Sequence, residues 1–325
     1  MEKITSLTNV RIKRVVRLRD KSAERRHEGV FPAEGERLVS EVPEDRLEEL
    51  FVTEDWIENW LASEGEARPL TPKWLSEGGK QTGEGQLSMI MKSCSEKGLS
   101  EESNLLSEKE EECSGNNRRR REVFRRMELA ERSGCLFTVT REIFAKISDT
   151  RSPQGVLALV KEKQYSLPEV ADHFSRILFL ENIRDPGNLG TMLRTAEAAG
   201  AALILTKGCA DIHQPKVVRA SMGAIFRVPA FMTESPEETA NRLREQGFRV
   251  AAAHLEGNNL YQTELGKKIV FLIGNEGNGL TDSLTACADC LLRIPMEGQV
   301  ESLNAAMSAG LLVYEAKRQQ DAHSN

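Results

Sequence analysis

Residues 291–316 read LLRIPMEGQVESLNAAMSAGLLVYEA, and this stretch decides how the C-terminal half of the chain is interpreted. An apolar run at residues 291–294 ends at Pro295, which lacks a backbone donor and therefore stops a strand. A short loop follows, and residues 302–304 (SLN) open an apolar helix of small residues. Strand, loop and polar helix start in this order are typical of α/β proteins that hold a ligand at the carboxyl edge of a sheet.

Two upstream stretches have residue types suited to meeting this site. The first is NIRDPGNLG at residues 182–190, which continues into RTA at residues 194–196. The second is IGNEGNGL at residues 273–280, whose three glycines let the backbone approach a ligand closely. A dinucleotide-binding loop has the glycine order G-x-G-x-x-G after an early strand, whereas this order is G-x-x-G-x-G and lies late in the domain. The sequence therefore disfavours a dinucleotide site.

Short apolar strands alternate with helices from residue 177 onward. Strands are predicted at residues 177–180, 202–205, 226–231, 249–253, 269–273 and 291–294. Helices are predicted at residues 189–199, 215–223 and 236–246, and after residue 304. This alternation indicates an α/β fold with a mostly parallel sheet covered on both faces.

Length and composition indicate about two domains in a globular protein. The 325 residues are 39% hydrophobic and 29% charged, and no apolar run reaches the roughly 20 residues that a membrane span requires. The first residues lack the apolar core of a secretory signal. Six scattered cysteines suggest free thiols in a reducing compartment. We expect a cytoplasmic protein with no membrane association.

The net charge of −6 hides a basic stretch near the N-terminus. Residues 11–26 contain eight arginines and lysines but only two acidic residues. Val10, Val15 and Leu18 are predicted to share the buried face of a helix over residues 9–20. The basic residues around this helix are either a solvated surface or a surface that binds phosphates.

Taken together, the three C-terminal stretches resemble the signature motifs of the SpoU (TrmH-like) RNA 2′-O-methyltransferases of the SPOUT class, over about residues 177–316. RRHEGVFPAEGERLV at residues 25–39 and SDTRSPQG at residues 148–155 are similar to the two ends of the small substrate-binding domain that precedes many of these enzymes. The resemblance implies an α/β RNA-binding sandwich over residues 1–165. It also implies a SPOUT α/β methyltransferase domain with a trefoil knot over residues 170–325, and a homodimer.

The resemblance implies methylation of a ribose 2′-hydroxyl in structured RNA, with S-adenosylmethionine as cofactor. The N-terminal domain favours ribosomal RNA over tRNA as the substrate. Arg194 matches the catalytic arginine of the family. The resemblance also allows Arg194 to act as a general base. Because arginine keeps its proton in nearly every protein setting, we favour a role in stabilising a developing alkoxide and anchoring a phosphate.

The remaining site residues fall into three groups. Polar positions matching the catalytic set are Asn182, Glu276, Ser302 and Asn304. Positions implied to contact the cofactor are Gly274, Asn275, Gly277, Ile294, Met296 and Leu303. Predicted RNA contacts are Arg11, Lys13, Arg14, Arg17, Arg25 and Arg26.

Some features lie outside the family pattern. Residues 61–117 include an acidic segment rich in Gly and Ser, which predicts a disordered insertion. The arginines that follow it, within residues 118–126, either neutralise this insertion or extend the RNA-binding surface. Cys287 and Cys290 have C-x-x-C spacing without a second ligand pair, so no metal site is predicted.

A non-catalytic RNA-binding or ribosome-assembly factor with the same fold is the main alternative to an enzyme. The joint presence of Arg194, Glu276, Ser302 and Asn304 favours the enzyme, because a protein that only binds RNA does not require them together. A SPOUT methyltransferase acting on a base is disfavoured by the ribose-type arginine motif.

Overall fold

The computed structural model of the chain describes residues 2–65, 115–275, 277–300 and 302–322. The chain divides into two compact units, Met1–Glu162 and Lys163–Asn325. Of the predicted insertion, residues 66–114 lie outside the described residues, and its two ends belong to helices. No helix in the described part of the chain has the length and apolarity needed to cross a membrane.

The N-terminal unit is built on a mixed five-stranded sheet. Its strands are β1 (Glu2–Ile4), β2 (Val30–Glu34), β3 (Leu47–Thr53), β4 (Leu136–Val139) and β5 (Val156–Lys161). Its helices are α1 (Val10–Asp20), α2 (Ser22–Glu28), α3 (Glu36–Glu41), α4 (Glu54–Gly65), α5 (Gly115–Arg132) and α6 (Arg141–Ile147), with a 3₁₀ turn at Glu44–Arg46. The strand order is β1-β4-β3-β5-β2, and β5 runs antiparallel to both of its neighbours.

The two faces of this sheet are covered by different helices. Residues of α1 and α6 form one core cluster with Phe51 of β3 and Phe137 of β4, whose rings stack 5.4 Å apart. Leu50 and Val52 flank Phe51 and therefore point to the opposite face, where α5 packs against β3. The unit is thus a sandwich of helices around a sheet.

Helix α1 buries a different set of residues from the predicted one. Ile12, Val15 and Leu18 are buried at three-residue intervals, whereas Val10 is 77% exposed. Val10 is the first residue of the helix. The prediction for Val10 was wrong because Ile12, and not Val10, continues the face set by Val15 and Leu18.

The C-terminal unit is an α/β domain with a parallel sheet, as predicted. Its strands are β6 (Arg176–Leu180), β7 (Ala202–Thr206), β8 (Ala230–Thr233), β9 (Arg249–Asn259), β10 (Ile269–Ile273) and β11 (Cys290–Arg293). Its helices are α7 (Leu167–His173), α8 (Pro186–Ala199), α9 (Pro215–Ala220), α10 (Pro236–Glu245), α11 (Asp282–Thr285) and α12 (Ala305–Ala322), with 3₁₀ turns at Ala224–Phe226 and Leu260–Gln262. All neighbouring strands pair in parallel, in the order β11-β9-β10-β6-β7-β8.

Two strands differ from the sequence-based expectation. The strand predicted at residues 226–231 begins only at Ala230, because the apolar Phe226 is already buried at the end of a 3₁₀ turn. Strand β9 extends beyond the predicted end at residue 253. Its register with β11 shifts between Ala252 and Asn258, so that residues 253–257 leave the ladder.

The strand order identifies where a ligand site is expected. The chain proceeds from β6 outward to β7 and β8, and then returns to build β9, β10 and β11 on the other side of β6. In open α/β sheets, ligands bind beyond the carboxyl ends of the strands where the order reverses. Here that point lies between β6 and β10, whose last residues, Leu180 and Ile273, are register partners. The threading of a knot does not follow from strand order, and the trefoil knot stays a prediction.

Candidate active site

The three sequence motifs all lie at the carboxyl edge of the C-terminal sheet. The stretch beginning at Asn182 follows β6, the stretch beginning at Gly274 follows β10, and the stretch beginning at Ile294 follows β11. Only β9 separates β10 from β11, which places their ends about 10 Å apart. The predicted ligand loops therefore open side by side.

The glycine-rich loop after β10 is a tight turn. Asn275 and Gly279 form an antiparallel bridge, and the Asn275 Oδ1 atom accepts hydrogen bonds from the N–H groups of Gly277 (2.9 Å) and Asn278 (2.7 Å). A Cβ atom at Gly274 would lie 2.1 Å from the carbonyl carbon of Gly279, so no side chain fits there. The loop presents backbone rather than side chains to a ligand. Glu276, predicted to be catalytic, lies outside the described residues.

A buried carboxylate ties this loop to the first motif. Glu181, directly after β6, is 5% exposed, and its N–H donates to the carbonyl oxygen of Ile273 at 2.8 Å. Its Oε2 and Oε1 atoms accept hydrogen bonds from the Thr281 N–H (2.7 Å) and the Thr281 hydroxyl (2.9 Å). Glu181 therefore fixes the exit of the glycine-rich loop at the point where the strand order reverses.

Glu181 was not among the predicted site residues. It stands one residue before the first motif, where only the Asn182 side chain was considered. A charged residue directly after a fully buried strand is the signal that could have found it, because a carboxylate in that position needs partners when it is buried.

Asn182 adopts an unusual backbone conformation. Its φ angle is 55°, in the left-handed region that asparagine tolerates better than most residues. Its N–H donates to the Thr206 hydroxyl at 3.2 Å. A Cβ atom at Gly208 would lie 1.7 Å from Asn182 Oδ1, so the amide of Asn182 occupies the space that the absent side chain leaves. Asn182 is thus held against the loop after β7.

A second link joins the third motif to the first. The Asn304 side-chain amide donates to Asn188 Oδ1 at 3.0 Å. Its own Oδ1 atom accepts the N–H of Ala306 (2.9 Å) and the N–H of Met307 (3.2 Å), which caps the start of α12. Asn188 lies in the first turn of α8, where Asp185 accepts its N–H at 2.8 Å. The starts of α8 and α12 are therefore held together.

Arg194 lies farther along α8, about 9 Å from Asn188 along the helix axis. It is exposed and forms no hydrogen bond or ion pair with any residue that the structure describes. The next residue, Thr195, packs beside α12, since a Cβ atom at Gly310 would lie 3.7 Å from its methyl group. Ser302 is likewise exposed. The guanidinium of Arg194 is available to an anionic ligand.

The positions predicted to contact the cofactor combine backbone and apolar surface. Ile294, Met296 and Leu303 are half-buried, and Gly277 is exposed in the turn after β10. Half-buried apolar side chains beside backbone polar groups are the usual walls of a small-molecule site.

Folding neutralises much of the basic surface predicted on the N-terminal unit. Arg14 pairs with Glu28 (2.6 Å) and Glu48 (2.5 Å). Arg11 pairs with Glu49, and burial raises the pKa of the Glu49 carboxyl even though Arg11 and Arg14 oppose the shift.

Of the remaining predicted RNA contacts, two interact with other residues of the chain and two are exposed without an ion pair to a described residue. Arg25 is 5% exposed and donates to the carbonyl oxygens of Leu18 (2.6 Å) and Arg19 (2.8 Å), which is a structural role. Arg17 lies 3.5 Å from Glu24. Lys13 and Arg26 are exposed and have no ion pair with a described residue.

The two cysteines with C-x-x-C spacing lie around the start of β11. Desolvation raises the pKa of the thiols of Cys287 and Cys290, so both favour the protonated form over the thiolate that binds metals. Within the described residues, no cluster of three or more His, Cys, Asp and Glu side chains is arranged to hold a metal ion.

Comparisons with known proteins cover both units. The family model described as the SpoU rRNA Methylase family matches residues 175–314, and the model described as the MRM3-like substrate binding domain matches residues 9–79. An uncharacterised tRNA/rRNA methyltransferase of Synechocystis is 36% identical over 192 residues, which are 58% of this chain and 69% of that protein.

Two further matches concern a named relative and a solved structure. The 23S rRNA (guanosine(2553)-2′-O)-methyltransferase RlmP of Bacillus subtilis is 32% identical over 180 residues, which are 55% of this chain and 71% of that protein. The crystal structure of an AdoMet-bound rRNA methyltransferase from Sinorhizobium meliloti matches with a TM-score of 0.67 at 25% identity, over 98% of this chain and 97% of that one. With the three motifs joined at one edge of a parallel sheet, these matches show that the chain belongs to the SpoU family of RNA methyltransferases.

Proposed function

We propose that this protein methylates a ribose 2′-hydroxyl in structured RNA, with ribosomal RNA as the favoured substrate. The observation that carries the proposal is the pair of hydrogen-bonded links, Glu181 to Thr281 and Asn304 to Asn188, which join the three motifs around one ligand edge. The name of the Bacillus subtilis relative, a 2′-O-methyltransferase of 23S rRNA, supports both the ribose and the ribosomal substrate.

S-adenosylmethionine is the methyl donor of this family, and it supplies an electrophilic methyl group on a sulfonium centre. The residues present fit such a ligand, because an exposed backbone turn follows β10 and half-buried apolar side chains follow β11, at the same edge of the sheet. We assign its contacts to the backbone of the loop after β10 and to the two segments after β11. The assigned residues are Gly274, Asn275, Gly277, Ile294, Met296 and Leu303.

The ribose hydroxyl must lose a proton to become a good nucleophile. Arg194 is not the acceptor, because a guanidinium keeps its own proton, so the hydroxyl proton passes to solvent water as the oxygen takes the methyl group. Its charge instead stabilises the oxygen as negative charge develops, and its planar fork anchors the neighbouring phosphate. Asn182, Glu276, Ser302 and Asn304 complete the proposed catalytic set by orienting the ribose through hydrogen bonds. The expected hydrogen bonds to Arg194 are not formed by those of the four that the structure describes.

A homodimer through α12 is part of the proposal. Ala305, Ala306 and Ala309 of this helix are buried within the chain itself, so its own fold explains these small residues. Met307 and Tyr314 are 59% and 47% exposed and, seven residues apart, lie on the same side of the helix. Exposed apolar side chains in one stripe are typical of an interface.

Replacing Arg194 with alanine should leave S-adenosylmethionine affinity nearly unchanged and lower turnover on RNA by on the order of 100- to 1000-fold. The reason is that the arginine acts on the ribose and phosphate and not on the cofactor. Calorimetry would measure the affinity, and methyl incorporation into ribosomal RNA would measure turnover. Arg194→Lys keeps the positive charge but loses the planar guanidinium with its paired donors, so it should restore little of the turnover.

The matched control for this change is Arg242→Ala, which removes another exposed arginine, paired with Glu238 at 2.7 Å. It should retain normal turnover. An Arg194→Ala protein with near-normal turnover would contradict the proposed mechanism.

Replacing Glu181 with alanine should weaken cofactor binding by about 10-fold or more, because an unpaired buried donor costs about 1–3 kcal/mol and the turn loses its anchor. Thr281→Val should also weaken cofactor binding, but less. The double variant Glu181→Ala/Thr281→Val should lose less binding free energy than the sum of the two single losses, because the two residues share one interaction. The control is Glu237→Gln, since the Glu237 carboxylate accepts an exposed hydrogen bond from Ser283 on α11 at 2.7 Å. Equal cofactor affinity in Glu181→Ala and the native protein would refute this positioning role.

Replacing both Met307 and Tyr314 with lysine should convert the dimer to a monomer, because two charges would be placed in an apolar interface. Light scattering at micromolar concentration would report the mass. Met232→Lys, which changes another exposed apolar residue (45% exposed) on β8, should leave the mass unchanged. A native protein that is monomeric in this measurement would refute the dimer.

A further inference from the structure

We propose that helix α5 carries a second RNA-binding surface, a stripe of arginines that binds the phosphate backbone of the substrate. The proposal rests on the proposed function in one respect, that structured RNA is the substrate. We define the α5 stripe as Arg118, Arg121, Arg125 and Arg132, all of which are exposed.

The stripe follows from how the helix packs. Val123, Met127 and Ala130 are buried, and the helix packs against β3 and β4 of the N-terminal sheet. The stripe residues recur after three, four and seven positions, so they form a row along the helix surface. With a rise of 1.5 Å per residue, the row from Arg118 to Arg132 is about 21 Å long. Its length suits several consecutive phosphates.

Other arginines of the same helix have structural partners. Arg120 lies 3.2 Å from Glu36, and Arg126 donates to the carbonyl oxygen of Val42 at 2.7 Å and approaches Glu44 to 3.2 Å. These contacts hold α5 to the segment around α3. The two arginines therefore explain part of the basic run without an external ligand.

Three residues of the stripe, Arg118, Arg125 and Arg132, have little charge compensation from other described residues. Arg118 and Arg132 form no ion pair with a residue that the structure describes. Among the described residues, the ion-pair partner of Arg125 is Glu122, at 3.4 Å, and surface pairs of this kind contribute little free energy. Glu122 and Glu128 are the glutamates whose helical positions lie next to these three arginines. The stripe keeps an excess of positive charge.

The arginines of α1 have acidic partners among the described residues, unlike the two end residues of the α5 stripe. The arginines at positions 11, 14 and 17 of α1 each have a carboxylate partner, and the buried Arg25 of α2 bonds to backbone carbonyls. Within the described residues, folding thus removes most of the basic surface that the sequence places near the N-terminus.

Phosphate is the chemistry that this row matches best. Guanidinium groups bind phosphate oxygens through paired hydrogen bonds, and a row of them follows a polyanion rather than a single ion. The acidic residues 96–112 of the same chain, with seven glutamates, are the competing occupant. Their effect is an outcome of the test below.

The test is the salt dependence of RNA binding by the full-length variant R118Q/R125Q/R132Q. The probe is a fragment of 23S ribosomal RNA transcribed in vitro, and affinity is measured from about 50 to 200 mM salt. Each lost phosphate contact should lower the slope of log affinity against log salt by about 0.7–0.9, so three should lower it by about 2 to 3. Affinity should fall about 10-fold, while S-adenosylmethionine affinity stays unchanged.

The matched control is K3Q/R141Q/R242Q, which also removes three exposed positive charges. Each of these residues has a carboxylate partner, namely Glu54, Asp55 and Glu238. The control should keep the native slope. If it loses as much slope as the stripe variant, net charge alone explains the effect and the α5 surface is refuted.

A second set of substitutions distinguishes RNA from the acidic residues 96–112 as the ligand of the α5 stripe. In a chain with E108Q/E110Q/E111Q/E112Q, the stripe substitutions should weaken RNA binding by the same factor as in the native chain. If they have no effect in the native chain and act only in this background, the acidic residues occupy the stripe and the proposal is overturned. A native protein that binds RNA through the stripe but transfers no methyl group would refute the proposed function and leave this surface intact.

Discussion

The buried carboxylate of Glu181 is the interaction on which the active site depends. It stands where the strand order of the C-terminal sheet reverses, and both of its oxygens are bonded to Thr281. Because the acceptor is buried and the donors include a main-chain N–H, the two loops cannot separate without leaving polar groups unpaired. The bond between Asn304 and Asn188 does the same for the start of α12. Two polar links thus assemble a site from segments about 100 residues apart in the chain.

Much of this assembly was predictable from the sequence. Apolar strands followed by polar loops located the ligand edge, and the three motifs identified the family, because parallel strands bring their carboxyl ends together. The predictions failed where local pattern competes with tertiary burial. Phe226 reads as part of a strand but is buried in a 3₁₀ turn, and Val10 reads as core but is exposed at a helix start. Glu181 was missed because pairing between distant segments is not visible in either segment alone.

Charge was the property least predictable from sequence. The basic residues of α1 and α2 are close together in sequence, but acidic residues of β3 and α2 reach several of them in the fold. Helix α5 shows the opposite behaviour. Its arginines could be assigned from the sequence either to the acidic insertion or to RNA, and several of them are exposed in the structure. For a polyanionic substrate, the cations left without carboxylate partners matter more than the number of cations in a segment.

The central claim is that the methyl group goes to a ribose oxygen. Arg194 stabilises this oxygen at the edge of the sheet that Glu181 and Asn304 organise. The most direct measurement is mass spectrometry of nucleosides from ribosomal RNA incubated with the protein and isotopically labelled S-adenosylmethionine. Complete digestion separates sugar-methylated from base-methylated nucleosides. The account predicts that the label appears in a 2′-O-methylnucleoside. Label in a methylated base would contradict it.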